Sequence, residues 1–225
     1  MNKVNLITPE DIATFDRIDR DCLKMHVCPP PKTFINMKVQ MPDGSLVSEL
    51  DMVSRSWVRN AYNPSFYMFT GVQTFGSGYQ AGSTAQKSTA NSVITCRFPA
   101  AWLGTSGSNA YGIVVGTGDN AESFESYILE TIIANGTSAG QMSYAAQSVQ
   151  TPVYTVETKK LVQTFVRIFN NNSGGSISVS EVGVIYQDAA GANSLFCRDL
   201  LAEAVAVANT AQLTVTYTIE MTFPA

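Results

Sequence analysis

The chain has 225 residues, with 14 Lys and Arg against 18 Asp and Glu and a net charge of −4 at pH 7. That balance speaks against a phosphate-tracking role, because nucleic-acid affinity comes largely from clustered Lys and Arg; and no apolar run approaches the ~20 residues a membrane helix needs. Only 14% of residues are charged, against about 25% in ordinary domains, so Ser, Thr, Asn, Gln and Gly must cover the surface, which favours packing against neighbours without desolvating many ions.

The first residues lack the apolar core of a secretory leader and turn acidic almost at once, so export and disulfides are not expected. Cys22, Cys28, Cys96 and Cys197 form no C-x-x-C pair and read as free thiols rather than zinc ligands. A helix opens the chain. Thr8 is its expected N-cap, Pro9 its first residue, and Glu10 and Asp11 put negative charge where the helix dipole favours it. Ile12, Phe15, Ile18, Cys22 and Met25 share one face, and Pro29, Pro30 and Pro31 are expected to stop the helix. His26, the only imidazole, is best placed as a helix-end residue favoured by the dipole.

Residues 34–41, a Pro42-Asp43-Gly44 turn and residues 45–53 carry a hairpin signature. SWVRNAYNPSFYMF follows, with Trp57, Tyr62, Phe66, Tyr67 and Phe69 expected in the core. Residues 71–110 hold six glycines and only two charges, Lys87 and Arg97; they read as a long loop with an inserted strand at 92–98, suited to contact with a neighbouring subunit. Strands are then expected at 111–115, 161–169 and 177–186, with the Asn170-Asn-Asn-Ser-Gly-Gly175 turn making the last two a hairpin and Gly183 marking a bulge. From Leu213 to Met221 apolar residues alternate strictly with Thr and Glu, which only a strand with one buried face satisfies. The expected fold is therefore mainly all-β: an antiparallel β-sandwich or jelly-roll-like domain with one N-terminal helix. Its parts are an attachment segment at 1–70, the loop at 71–110 and the sandwich at 111–225, which together can form a single compact domain.

Chemistry-bearing patterns are sparse. The Gly116-Thr117-Gly118 sequence lacks the third glycine or Lys of a phosphate loop and reads as a turn. Asp119, Asn120, Glu122 and Glu125 are the weak candidates for holding Ca²⁺, against a solvated acidic loop, and the same carboxylates are the place to look for a glycosidase pair. Phe165, Arg167 and Phe169 fall on one strand face, so Arg167 either interrupts the core or marks an interface; the interface is preferred, ahead of a nucleic-acid platform. Arg198 and Asp199 read as an ion pair fixing a turn or a subunit contact.

The segments GIVVGTGDNAESFESYILETII, QMSYAAQSV, FVRIFNNNSGGSISVSEVGVIY and LFCRDLLAEAVAVANTAQLTVTYTIEM together resemble a domain of tailed-bacteriophage virion structural proteins. The resemblance spans residues 111–222, and SWVRNAYN at 56–63 looks like the region preceding that domain. Cys197 stands where the pattern often has a small aliphatic residue. The resemblance implies a β-sandwich that assembles into the particle and carries no catalytic motif to transfer. The expected function is thus a non-enzymatic virion subunit of the neck, tail or capsid surface, assembled in the bacterial cytoplasm, without cofactor, whose partners are copies of itself and other virion proteins rather than nucleic acid or membrane. Ile12, Phe15, Trp57, Tyr62, Arg167, Arg198 and Asp199 are its candidate interface residues. The alternative is a receptor- or glycan-binding module using loops at 119–127 and 189–194; a polysaccharide-degrading enzyme ranks third.

Overall fold

The computed structural model describes residues 2–62, 89, 102–187 and 193–224. The expected strand at 92–98, Cys96, most of the 71–110 loop and the aromatic residues after Tyr62 lie outside them.

The fold is a mainly β sandwich of two sheets with one short helix. The larger sheet contains β1 (Asn2–Asn5), β2 (Lys32–Gln40), β3 (Leu46–Ser54), β8 (Lys160–Asn170) and β11 (Gln212–Thr222), in the order β1-β3-β2-β11-β8. Three short strands, β5 (Ser143–Tyr144), β6 (Ser148–Val149) and β7 (Val153–Thr155), all line the outer edge of β8. The smaller sheet is β10 (Asn193–Val207), β9 (Ile177–Gln187) and β4 (Gly112–Gly116). Among the described strands all pairings are antiparallel except β1 with β3. Because β2 lies against β11, the segments 1–70 and 111–225 share one sheet.

Alternation explains the larger sheet. Ile35, Met37 and Val39 of β2 stand opposite Tyr217, Val215 and Leu213 of β11, which stand opposite Phe165, Arg167 and Phe169 of β8. Eight of these nine side chains are apolar, and period two sends all nine to one face. The ninth is Arg167. In the smaller sheet β4 and the second half of β9 are buried on both faces, so they read as continuous apolar runs rather than alternating ones.

Three local expectations are corrected. The Asn170–Gly175 connection is no hairpin: β8 belongs to the larger sheet and β9 to the smaller, so the turn arches between layers. Asn171, fully buried, shapes it by donating to Gly175 O (2.8 Å) and Val207 O (2.7 Å). Gly183 is not a bulge either, because it pairs in register with Arg198 and Val114. A Cβ there would lie 2.6 Å from both Cys197 O and Leu129 Cδ1, so the residue is glycine for close approach. The bulge sits on the partner strand, where Phe196 is the extra residue between Leu195 and Cys197. Finally, the helix α1 (Pro9–Lys24) ends before the prolines, at Met25, with His26 at φ +56°.

The start of α1 is as expected and better built. Thr8 accepts from Asp11 N and Asp11 accepts from Thr8 N, a reciprocal capping box. None of its residues is fully buried. Phe15 packs edge-on against Phe34 with ring centroids 6.0 Å apart, and Lys32 Nζ reaches Asp19 at 2.5 Å, while Ile12 remains 46% exposed.

Candidate functional site

Three buried polar centres hold the layers together. Arg167, 0% exposed, donates to five carbonyls: Ala145 (3.0 Å), Tyr111 (3.0 Å), Ile113 (2.8 Å), Thr105 (2.8 Å) and Ser108 (2.5 Å). Its guanidinium also lies 4.9 Å from the Tyr144 ring centroid. All its N–H groups find acceptors, with Gly104 leaving the room: a Cβ there would be 2.4 Å from Nη1. Burial pulls the guanidinium pKa down to about 10. The preferred interface reading of Arg167 is therefore corrected, since every donor points inward and binds the 105–113 segment onto the larger sheet.

Arg198 and Asp199 do not pair with each other, because neighbours on a strand face opposite sides. Arg198 Nε donates to Glu181 at 2.6 Å, and its Nη2 donates to Asn120 O at 2.9 Å. Glu181, fully buried, also accepts from Gly118 N (3.2 Å), Glu130 N (3.1 Å) and Thr131 N (2.7 Å). The Gly116-Thr117-Gly118 turn thus wraps a carboxylate of its own chain, and a Cβ on Gly116 would lie 2.4 Å from Glu181 Oε1. Asp199 faces the other way. It accepts from Ser54 Oγ (2.7 Å) and Arg55 N (3.0 Å), with Tyr217 Oη at 3.5 Å. Burial pushes its pKa up to about 7, against the lowering effect of the Ser54 and Arg55 bonds. With Arg198 4% and Asp199 1% exposed, both act inside the subunit rather than at its surface.

The acidic loop disperses its ligands. Glu122 accepts from Ser56 Oγ and from Leu200 N, Glu125 pairs with Arg59, and Asn120 donates to Glu130. Among the described residues no group of three or more His, Cys, Asp or Glu side chains is placed to hold a metal ion. Glu122 and Asp199 do line one cleft of about 210 Å³, but both carboxylates are occupied in gripping residues 54–56, where the chain leaves the larger sheet and crosses to the smaller. Trp57 completes that crossing by bridging to Cys197.

Two surface features remain. Trp57, Tyr62 and Phe124 form a chain of rings with centroid separations of 6.1 and 5.9 Å, and Tyr62 and Phe124 are each 52% exposed. The other lies at the outer edge of β8. From Thr131 to Val156 the chain has no charged residue, and β6 and β7 end this run wholly exposed, with Val149, Val153, Tyr154 and Val156 presenting 38%, 60%, 49% and 68% of their surface. Monomeric proteins blunt exposed edges with charges or short, covered strands. Sequence reasoning missed this edge, although the uncharged run was visible.

No family model, curated protein or solved structure matches the chain.

Proposed function

We propose that the chain is a non-enzymatic structural subunit of a tailed-phage virion, acting through subunit contacts at the neck, tail or capsid surface. The observation that carries the reading is the open, uncharged β6–β7 edge, where four large apolar side chains stand in water along two short strands that pair with β8 on one side and have no strand partner on the other among the described residues. Such an edge is a template for pairing with another chain, and a low-charge surface lets partners meet without stripping water from ions. The resemblance of residues 111–222 supplies the particle. An antibody raised against the chain should label intact tailed particles, and the purified chain should form multimers that Val153→Asp lowers in mass. Unlabelled particles together with a monomeric wild-type chain would end the reading.

A second reading, glycan or receptor binding, is favoured by the Trp57–Tyr62–Phe124 rings, of which Tyr62 and Phe124 are exposed, since aromatic faces stack on apolar ligand surfaces. It requires Tyr62→Ala to abolish binding to host-surface polysaccharide while leaving assembly intact.

A further inference from the structure

Resting on the assembly reading, we infer that subunits join head to tail, the 148–156 edge of one copy entering a groove between β1 and β10 of the next. The two features lie at opposite ends of the molecule. β7 flanks β8 at one edge of the larger sheet, and β1 is the other edge. Beside β1 the two sheets part, leaving an apolar groove of about 370 Å³ walled by Val4, Leu6 and Val47 on one side and by Ala202, Ala204 and Val205 on the other.

Both walls have unpaired backbone. Among the described residues β1 pairs only with β3. The outer edge of β10 is covered by residues 56–58 near Phe196 and Arg198 and by Glu122 at Leu200 N, but beyond that it has no backbone partner among the described residues. There β10 also departs from β9: Leu200 pairs with Glu181 and Val205 with Val179, so residues 201–204 bow away opposite Ser180 alone. The small side chains Ala202, Ala204 and Ala206 on this stretch leave room for a strand that brings its own large residues. Val149, Val153, Tyr154 and Val156 are such residues.

Charge fits the same occupant. The groove carries Glu203, exposed and without an ion pair among the described residues, so it disfavours an acidic guest; the 148–156 segment has no charge to desolvate. Lys159, in the turn that follows, likewise makes no ion pair among the described residues and can meet Glu203 across the joint. Glu157 of that turn is the one charge the arrangement must keep in water. Because edge and groove are different surfaces, each copy offers one of each, and the joint is heterologous, generating a ring where the rotation closes.

The test uses one variant for each half of the joint, both at exposed positions: Val153→Asp spoils the edge and Ala204→Glu spoils the groove. By analytical ultracentrifugation each alone should be a monomer of 24.2 kDa, and the equimolar mixture should form a two-subunit species and stop there, since only one sound joint can be made. If Ala204→Glu still assembles like wild type while Val153→Asp does not, the groove is not the partner although assembly through the edge stands. Two monomeric variants that fail to combine also overturn the joint. A wild-type chain that stays monomeric overturns both the joint and the assembly reading. Charge reversal gives a measurement independent of the alanine site: Glu203→Lys should weaken assembly severalfold and Lys159→Glu in the same chain should restore it, and an unrestored double variant counts against the joint.

Discussion

Replacing Asp199 with Asn should make the protein more stable at pH 8 while leaving it unchanged near pH 4. The unfolded chain releases the Asp199 proton near its ordinary value of 3.8, whereas the folded chain holds it to about 7, chiefly because burial penalises the anion. Between those values the folded state binds the extra proton, so wild-type stability falls as pH rises from about 4, and the loss is complete above about 7. Each pKa unit corresponds to about 1.4 kcal/mol, and the gap of roughly three units sets a ceiling near 4 kcal/mol. Asn mimics the neutral acid: its carbonyl accepts from Arg55 N, and its amide can donate to Ser54 Oγ. Urea denaturation of both proteins at intervals from pH 4 to 8 gives the difference directly. Asp11, Asp43 and Glu49, whose pKa values are lowered by their hydrogen bonds, tilt both curves the opposite way below about pH 4 and cancel in the subtraction. Parallel curves, or a constant deficit in the Asn variant, would show that the donors around Asp199 outweigh its burial.

Arg167→Met should cost at least about 3 kcal/mol, because five carbonyls lose their donor and each buried acceptor left unsatisfied costs roughly 1–3 kcal/mol; chemical denaturation checks it, and a loss under about 1 kcal/mol would mean that water replaces the guanidinium. Gly183→Ala should cost about 1–3 kcal/mol through the contact with Cys197 O, while Gly175→Ala, with nothing within 4 Å of its Cβ, should be neutral or stabilising by up to about 1 kcal/mol; thermal melts of the pair compare the two directly. Thr8→Ala removes the cap of α1 and should cost about 1 kcal/mol, read as a lower melting temperature with early loss of the helical circular-dichroism signal.

Elements whose chemistry is local were legible in the sequence. The Thr8 cap, the hairpin about Gly44 and the alternation of β11 each need only neighbouring residues to be recognised. The Asn170–Gly175 turn was misread because hairpins and arches use the same residues that tolerate tight turns; what separates them is which sheet each flanking strand joins, a matter decided by distant partners. Arg167 was placed on the correct face by period two, yet the five carbonyls that make it an internal latch come from segments 22–62 residues away. Arg198 and Asp199 were read as partners from adjacency, when strand geometry parts them. β1 was invisible, since Asn-Lys-Val-Asn has neither alternation of note nor β-branched enrichment, and its pairing exists only because β3 offers an edge. The groove inherits that invisibility.

The position of β11 also governs how the molecule is born. It follows every other described strand in sequence yet is an inner strand of the larger sheet, with β2, at residues 32–40, on one flank and β8 on the other. A nascent chain that stops short of Gln212 holds β2–β3 and β8 with no strand to join them, their apolar faces unsatisfied. Closure of the sheet therefore waits until β11 has been made, and it bridges about 180 residues of sequence in a single step, the kind of non-local pairing that makes folding slow. Until then the unpaired flanks of β2 and β8 resemble the edges through which the finished subunit is proposed to join its neighbours, so premature association competes with folding inside the cell producing it.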